Sequence, residues 1–78
     1  MKKPRERFAV CVDNTDYQAS LILGKIYRLL PDPKAEQDDL IRVIDESGED
    51  YLYHKSNFAF VQLPRALEEK LVALQAVA

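Results

Sequence analysis

Five short runs of β-forming residues, each closed by a turn signal, constrain this chain more than any other feature. Phe8-Ala9-Val10-Cys11-Val12 stops at the turn-prone Asp13-Asn14-Thr15-Asp16. An apolar patch, Ser20-Leu21-Ile22-Leu23, rides on the returning loop until Gly24 breaks it. Lys25 to Leu30 is the second run, ended by Pro31-Asp32-Pro33, because proline removes a ladder donor and biases its predecessor away from helix. Lys34 to Asp39 reads as a polar loop with room for a helical turn. Leu40-Ile41-Arg42-Val43-Ile44 and Asp50-Tyr51-Leu52-Tyr53 flank Asp45-Glu46-Ser47-Gly48-Glu49, the clearest hairpin in the chain, with Gly48 at the position that needs a positive φ. Lys55-Ser56-Asn57 is a tight connection to Phe58-Ala59-Phe60-Val61.

None of these connections is read as a crossover helix, so the strands must run antiparallel. Five such strands can close into a small barrel, which removes most exposed strand edges. A different pattern follows. Pro64 opens a segment in which Leu67, Leu71, Leu74 and then Val77 or Ala78 recur at helical spacing. Proline at the first helical position and Glu68-Glu69 in the early turns suit a helix start. The expected architecture is therefore mainly β: a five-stranded barrel over residues 8–62, a basic arm over 1–7 and a short C-terminal α-helix within 63–78.

Seventy-eight residues allow one domain with a thin core, which a helical cover or self-association would reinforce. With 47% apolar and 31% charged residues the chain can bury enough surface to fold, and two glycines and four prolines exclude the low-complexity classes. The formal charge of −2 provides no general attraction to phosphate backbones. Its distribution is uneven: Lys2, Lys3, Arg5 and Arg7 crowd the start against Glu6 alone, while the acids gather between Glu36 and Asp50. The arm is expected to be a solvated tail. One cysteine forms no internal disulfide, which points to a reducing, cytoplasmic setting. The apolar run behind the basic start is too short for a signal peptide, and no stretch approaches the roughly 20 apolar residues of a membrane span.

The order of features resembles the SH3 domain. Val12 to Tyr17 is an acidic-aromatic loop, and Leu21 to Tyr27 (Leu-x-x-Gly-Lys-x-Tyr) is similar to the apolar-then-glycine step into the second SH3 strand. Tyr53-His54-Lys55-Ser56-Asn57-Phe58 resembles the short helical turn before the last SH3 strand. More narrowly, Cys11 to Asn14, Leu21 to Tyr27, Arg42 to Glu49 and Tyr53 to Phe58 together resemble a group of small bacterial and phage proteins of unknown function. This likeness implies an SH3-like barrel and no particular activity. The chain departs from peptide-binding SH3 domains in having no tryptophan; Leu40-Ile41 stands where their groove tryptophan lies.

No residue cluster carries a catalytic, cofactor or metal signature. Cys11 and His54 are single, and Cys11 sits in an apolar run where structural cysteine is common. No second histidine or cysteine gives His54 ligand spacing. Asp13, Asn14 and Asp16 lack the calcium-loop frame, and Gly24-Lys25 lacks the phosphate-loop frame, so turn-capping is the expected role of the acidic loop. Two surfaces remain. Tyr17, Tyr53 and Phe58 are placed to form an aromatic shelf, with Arg42 and Lys55 supplying charge. Leu67, Leu71 and Leu74 form an apolar helix stripe to be buried on the chain's own barrel or in a homodimer. The expected function is a non-catalytic interaction module that binds a protein or peptide or self-associates. The alternative is a nucleic-acid-associated module using the basic arm, Arg42 and exposed tyrosines. No cofactor and no membrane contact are expected.

Overall fold

Alternation along Ile26–Leu30 sets the frame: Tyr27 and Leu29 are buried, while Ile26 is exposed and Arg28 half-buried. Tyr27 and Leu29 thus share the inward face. The computed structural model describes residues 7–76. In chain order these are β1 (Phe8–Cys11), β2 (Ile26–Leu30), α1 (Pro33–Gln37), β3 (Leu40–Ile44), β4 (Asp50–His54), a 3₁₀ turn (Lys55–Asn57), β5 (Phe58–Val61) and α2 (Arg65–Ala76). The strands form one antiparallel sheet in the order β4-β3-β2-β1-β5. The class expected from the sequence, a mainly-β domain with a C-terminal helix, is observed.

β2 is shared between two ladders. Its Ile26 to Arg28 half pairs with β1, and Leu29 and Leu30 pair with β3. The closure expected of a barrel is not made by hydrogen bonds: no ladder joins β4 to β5 among the described residues, so both strands remain edges. The 3₁₀ turn supplies the reason. It links β4 to β5 in three residues and sends β5 across to β1, where Phe58 to Val61 pair with Cys11 to Phe8. The short helical turn anticipated around Ser56-Asn57 is thus present, and it turns the chain away from β4 rather than back along it.

The core is filled by Ala9, Cys11, Leu21, Tyr27, Leu29, Ile41, Val43, Tyr53 and Phe58. Leu21 is the one member that belongs to a loop, and it is fully buried. Burying such a leucine contributes about 2–3 kcal/mol, which pins the whole β1–β2 connection against the sheet. Gly24 and Gly48 take φ of +80° and +84°, the left-handed region that the turn at Gly48 was expected to need. The polar loop after β2 does contain a helical turn: Asp32 caps α1 by accepting from the Ala35 amide at 3.0 Å, with Pro33 at the first helical position.

Strand alternation puts Phe8 on the face opposite Ala9, yet Phe8 is also fully buried and stands outside the main core cluster. The Arg7–Glu68 ion pair, 3.8 Å, brings α2 to this edge. Glu68, Leu71 and Val72, at the i, i+3, i+4 spacing of one helix face, are the half-buried residues of α2. The expected stripe is therefore displaced: Leu71 is partly covered, but Leu67 and Leu74 are 42% and 71% exposed. Val77 and Ala78, the stripe's last expected members, lie outside the described residues, as do residues 1–6 of the basic arm.

Candidate functional site

The loop between β1 and β2 is built by short-range polar contacts. Asp13 accepts from the Thr15 amide at 2.9 Å, and Asp16 adopts φ 71°, a conformation aspartate tolerates better than most residues. Those Thr15 hydrogen bonds hold the Asp13 carboxyl below its ordinary value. Asn57, buried in the 3₁₀ turn, clamps the loop's start: its amide donates to the Asp13 carbonyl at 2.7 Å, and its own carbonyl accepts from the Val12 and Asp13 amides. Asn14 donates to the Leu21 carbonyl at 3.0 Å and closes the loop from within. Turn-capping, the role expected of Asp13 and Asn14, is what their side chains do.

Tyr27 fastens this loop to the β3–β4 turn, where the Glu46 amide also donates to the Ser20 carbonyl at 3.0 Å, and Tyr53 braces the turn itself. The Tyr27 hydroxyl donates to the Glu46 carboxylate and accepts from the Ile22 amide at 2.8 Å. Lys25 pairs with the same carboxylate and lies 5.3 Å from the centre of the Tyr27 ring. The Tyr53 hydroxyl donates at 2.6 Å to Asp45, which also accepts from the Ser47 hydroxyl and amide. Asp45 is buried, and burial pulls its carboxyl upward; the hydrogen bonds from Ser47 and Tyr53 outweigh that and leave it below its ordinary value. Glu46 is lowered by the hydrogen bonds from Lys25 and Tyr27. Burial, reinforced by the bond to Asp45, pushes the Tyr53 phenol up to about 12, and burial and Glu46 raise Tyr27 as well. Each buried side-chain polar atom among the described residues has a hydrogen-bond partner, which makes the junction a firmly held seam.

The aromatics expected to form a shelf do meet. Tyr17 stands edge-on to Tyr53 at 5.1 Å between centroids, and Tyr53 to Phe58 at 6.0 Å. Their exposure differs. Tyr53 and Phe58 are 5% and 6% exposed and belong to the core, while Tyr17, edge-on to Tyr53, is 41% exposed. The surface feature nearest them is a shallow open groove lined by Asp39, His54, Lys55, Ser56, Phe58 and Phe60. Two of the expected site residues, Lys55 and Phe58, border it. Phe60, also on its lining, is 37% exposed and was not among the residues expected to form the site.

Arg42 lies elsewhere. Its guanidinium is held by Asp32 and Asp50, each at 2.9 Å, and those hydrogen bonds raise its pKa further. Arg42 is thus a brace between the α1 cap and β4. Cys11 is buried, and desolvation raises its thiol pKa, opposite to the shift that activates a nucleophile. His54 is exposed on β4 and approaches the Ser56 hydroxyl at 3.4 Å. Sequence reasoning passed over Asp45, Glu46 and Asn57. For Asp45 the signal was its Ser two residues on, an Asx-turn pair; nothing local marked it as the acceptor for Tyr53.

Comparison with protein-family models, curated proteins and solved structures found no match.

Proposed function

We propose that this chain is a non-catalytic interaction module of SH3-like topology that binds an extended protein or peptide segment in the groove beside the 3₁₀ turn. The observation that carries the reading is the groove itself, where Phe58 and Phe60 provide an apolar floor, Asp39, His54 and Ser56 a hydrogen-bonding rim and Lys55 a cation. The strand order β5-β1-β2-β3-β4 and a 3₁₀ turn ahead of the last strand support the SH3-like description. The rim chemistry favours a ligand with an apolar side chain next to an acidic one. A cytoplasmic setting belongs to this reading, on the strength of the lone cysteine.

A random-peptide display selection tests it. Enriched peptides should carry an apolar-acidic pair, and their binding should be lost in Phe60→Asp and weakened in Lys55→Glu while both variants keep the wild-type circular dichroism. Absence of enrichment, or enrichment indifferent to both substitutions, overturns the reading.

A further inference from the structure

We propose that the peptide taken by the groove binds as an added strand, pairing its main chain with the open edge of β5 and setting apolar side chains at alternate positions against Phe60 and Phe58. This rests on the groove reading and names the kind of partner the groove takes: an extended segment recognised through its backbone.

The hydrogen bonds along β1 fix which way each residue of β5 faces. The Cys11 amide donates to the Lys25 carbonyl at 2.9 Å, and the Leu29 amide to the Arg7 carbonyl at 2.7 Å. The odd-numbered residues from Arg7 to Cys11 therefore bond toward β2. The even-numbered ones bond toward β5, as the Val12 amide does with the Asn57 carbonyl at 2.9 Å. In the register that joins Phe8–Val61 to Cys11–Phe58, Ala59 and Val61 thus spend their backbone groups on β1, while Phe58 and Phe60 turn theirs to the open edge. The Phe58 amide is already taken by the Lys55 carbonyl of the 3₁₀ turn. The Phe58 carbonyl and both backbone groups of Phe60 remain, and no backbone hydrogen bond among the described residues uses them.

The same two residues line the groove with their side chains. They lie opposite Cys11 and Ala9, both core members, so they share the core-side face of β5. Free backbone groups and apolar lining therefore meet along one edge. That pairing selects an extended polypeptide. Phe60 presents a donor and an acceptor, and Phe58 a further acceptor two residues away. A strand carries matching groups at that spacing, whereas a helix has spent its own internally. In either chain direction the peptide residues opposite Phe60 and Phe58 are two apart and point their side chains into the groove.

A second copy of β5 is a poorer match for this edge. Set antiparallel about Phe60, it brings its Pro64, which has no amide, against Ser56 in the 3₁₀ turn, where the backbone is not extended. The register that pairs Phe58 with the copy's Phe60 calls on the Phe58 amide that the turn has taken. A short free segment meets neither obstacle.

The test alters the ligand and leaves the protein's fold untouched. Peptides enriched in the display selection are resynthesised with blocked ends and with one backbone N-methyl group at each position in turn, and titrated against the full chain. Two amides, two residues apart, should each cost about tenfold or more in affinity when methylated, and the amide between them should tolerate the change. The Phe60 amide should gain protection from hydrogen exchange when the unmodified peptide is added. A peptide that binds the wild type, fails on Phe60→Asp and yet tolerates methylation at every position overturns the added strand while the groove reading stands. So does one that leaves exchange of the Phe60 amide unchanged. A selection that enriches nothing overturns both. Protection of the Phe60 amide that rises with protein concentration in the absence of peptide also overturns the proposal, because a second copy then occupies the edge.

Discussion

The β1–β2 loop and helix α2 are both additions to the sheet, and they are held in opposite ways. The loop is polar, lacks regular structure and is anchored by one fully buried leucine and by the buried Tyr27, whose hydroxyl joins the Ile22 amide to the Glu46 carboxylate on the β3–β4 turn. The helix has regular backbone bonding and apolar side chains, yet it touches the rest through a half-buried face and one ion pair, with Leu67 and Leu74 left outside. Regular secondary structure is thus no guide to how firmly a segment is fixed. A loop with every buried donor and acceptor matched can be the more rigid of the two, because leaving any one unmatched is costly.

The contrast can be broken by removing anchors in turn. The largest effect should come from Leu21→Ala, which takes a fully buried side chain from the loop and leaves a cavity; about 3 kcal/mol should be lost in urea unfolding. Asp45→Ala should follow at about 2 kcal/mol, since it strands the Tyr53 hydroxyl and the Ser47 amide. Tyr27→Phe should cost about 1 kcal/mol, because the ring stays and only the bridge from Ile22 to Glu46 is cut. At the small end, Leu74→Ala should change stability by less than about 0.5 kcal/mol. If Leu74→Ala proves as damaging as Asp45→Ala in the monomer, the comparison between the two regions fails.

The pH dependence sharpens the same contrast. Asp45 and Glu46 have folded values below their ordinary 3.8 and 4.5. A carboxyl lowered by folding contributes stability above its ordinary pKa and loses it as pH falls through the folded value. The loop seam should hold through neutral pH and loosen below about pH 4, seen as faster exchange of the Ile22 amide. Tyr53 runs the other way: its folded value, raised to about 12 from 10.0, stabilises below pH 10 and is lost as pH climbs through 12. An ultraviolet titration should show Tyr53 and Tyr27 ionising late and together with unfolding, and Tyr53→Phe should reduce the amplitude of that late step.

Local sequence carried much of this fold. The strands Leu40–Ile44 and Phe58–Val61 fall where β-forming runs meet turn residues, and Gly48 takes the positive φ that its hairpin needs. That Tyr27 and Leu29 share a face follows from alternation alone. The candidate site was less legible. Tyr17 meets Tyr53 and Tyr53 meets Phe58, but an aromatic residue's exposure depends on what lies over it, and here Tyr53 and Phe58 are core while Tyr17 is exposed. Arg42 reads as an available charge until Asp32 and Asp50, ten and eight residues away, close around it.

By itself, then, the sequence determined the strands, the turns and the start of the helix, because these depend on propensity and on neighbours a few residues apart. Tertiary structure alone decided that β4 and β5 stay unpaired, that Leu21 leaves its loop for the core, and that α2 buries Glu68, Leu71 and Val72 in place of Leu67 and Leu74. Those outcomes turn on which surfaces meet once distant segments are packed. The free energy of a given contact is set by burial and by pairing, and neither is written at any single position.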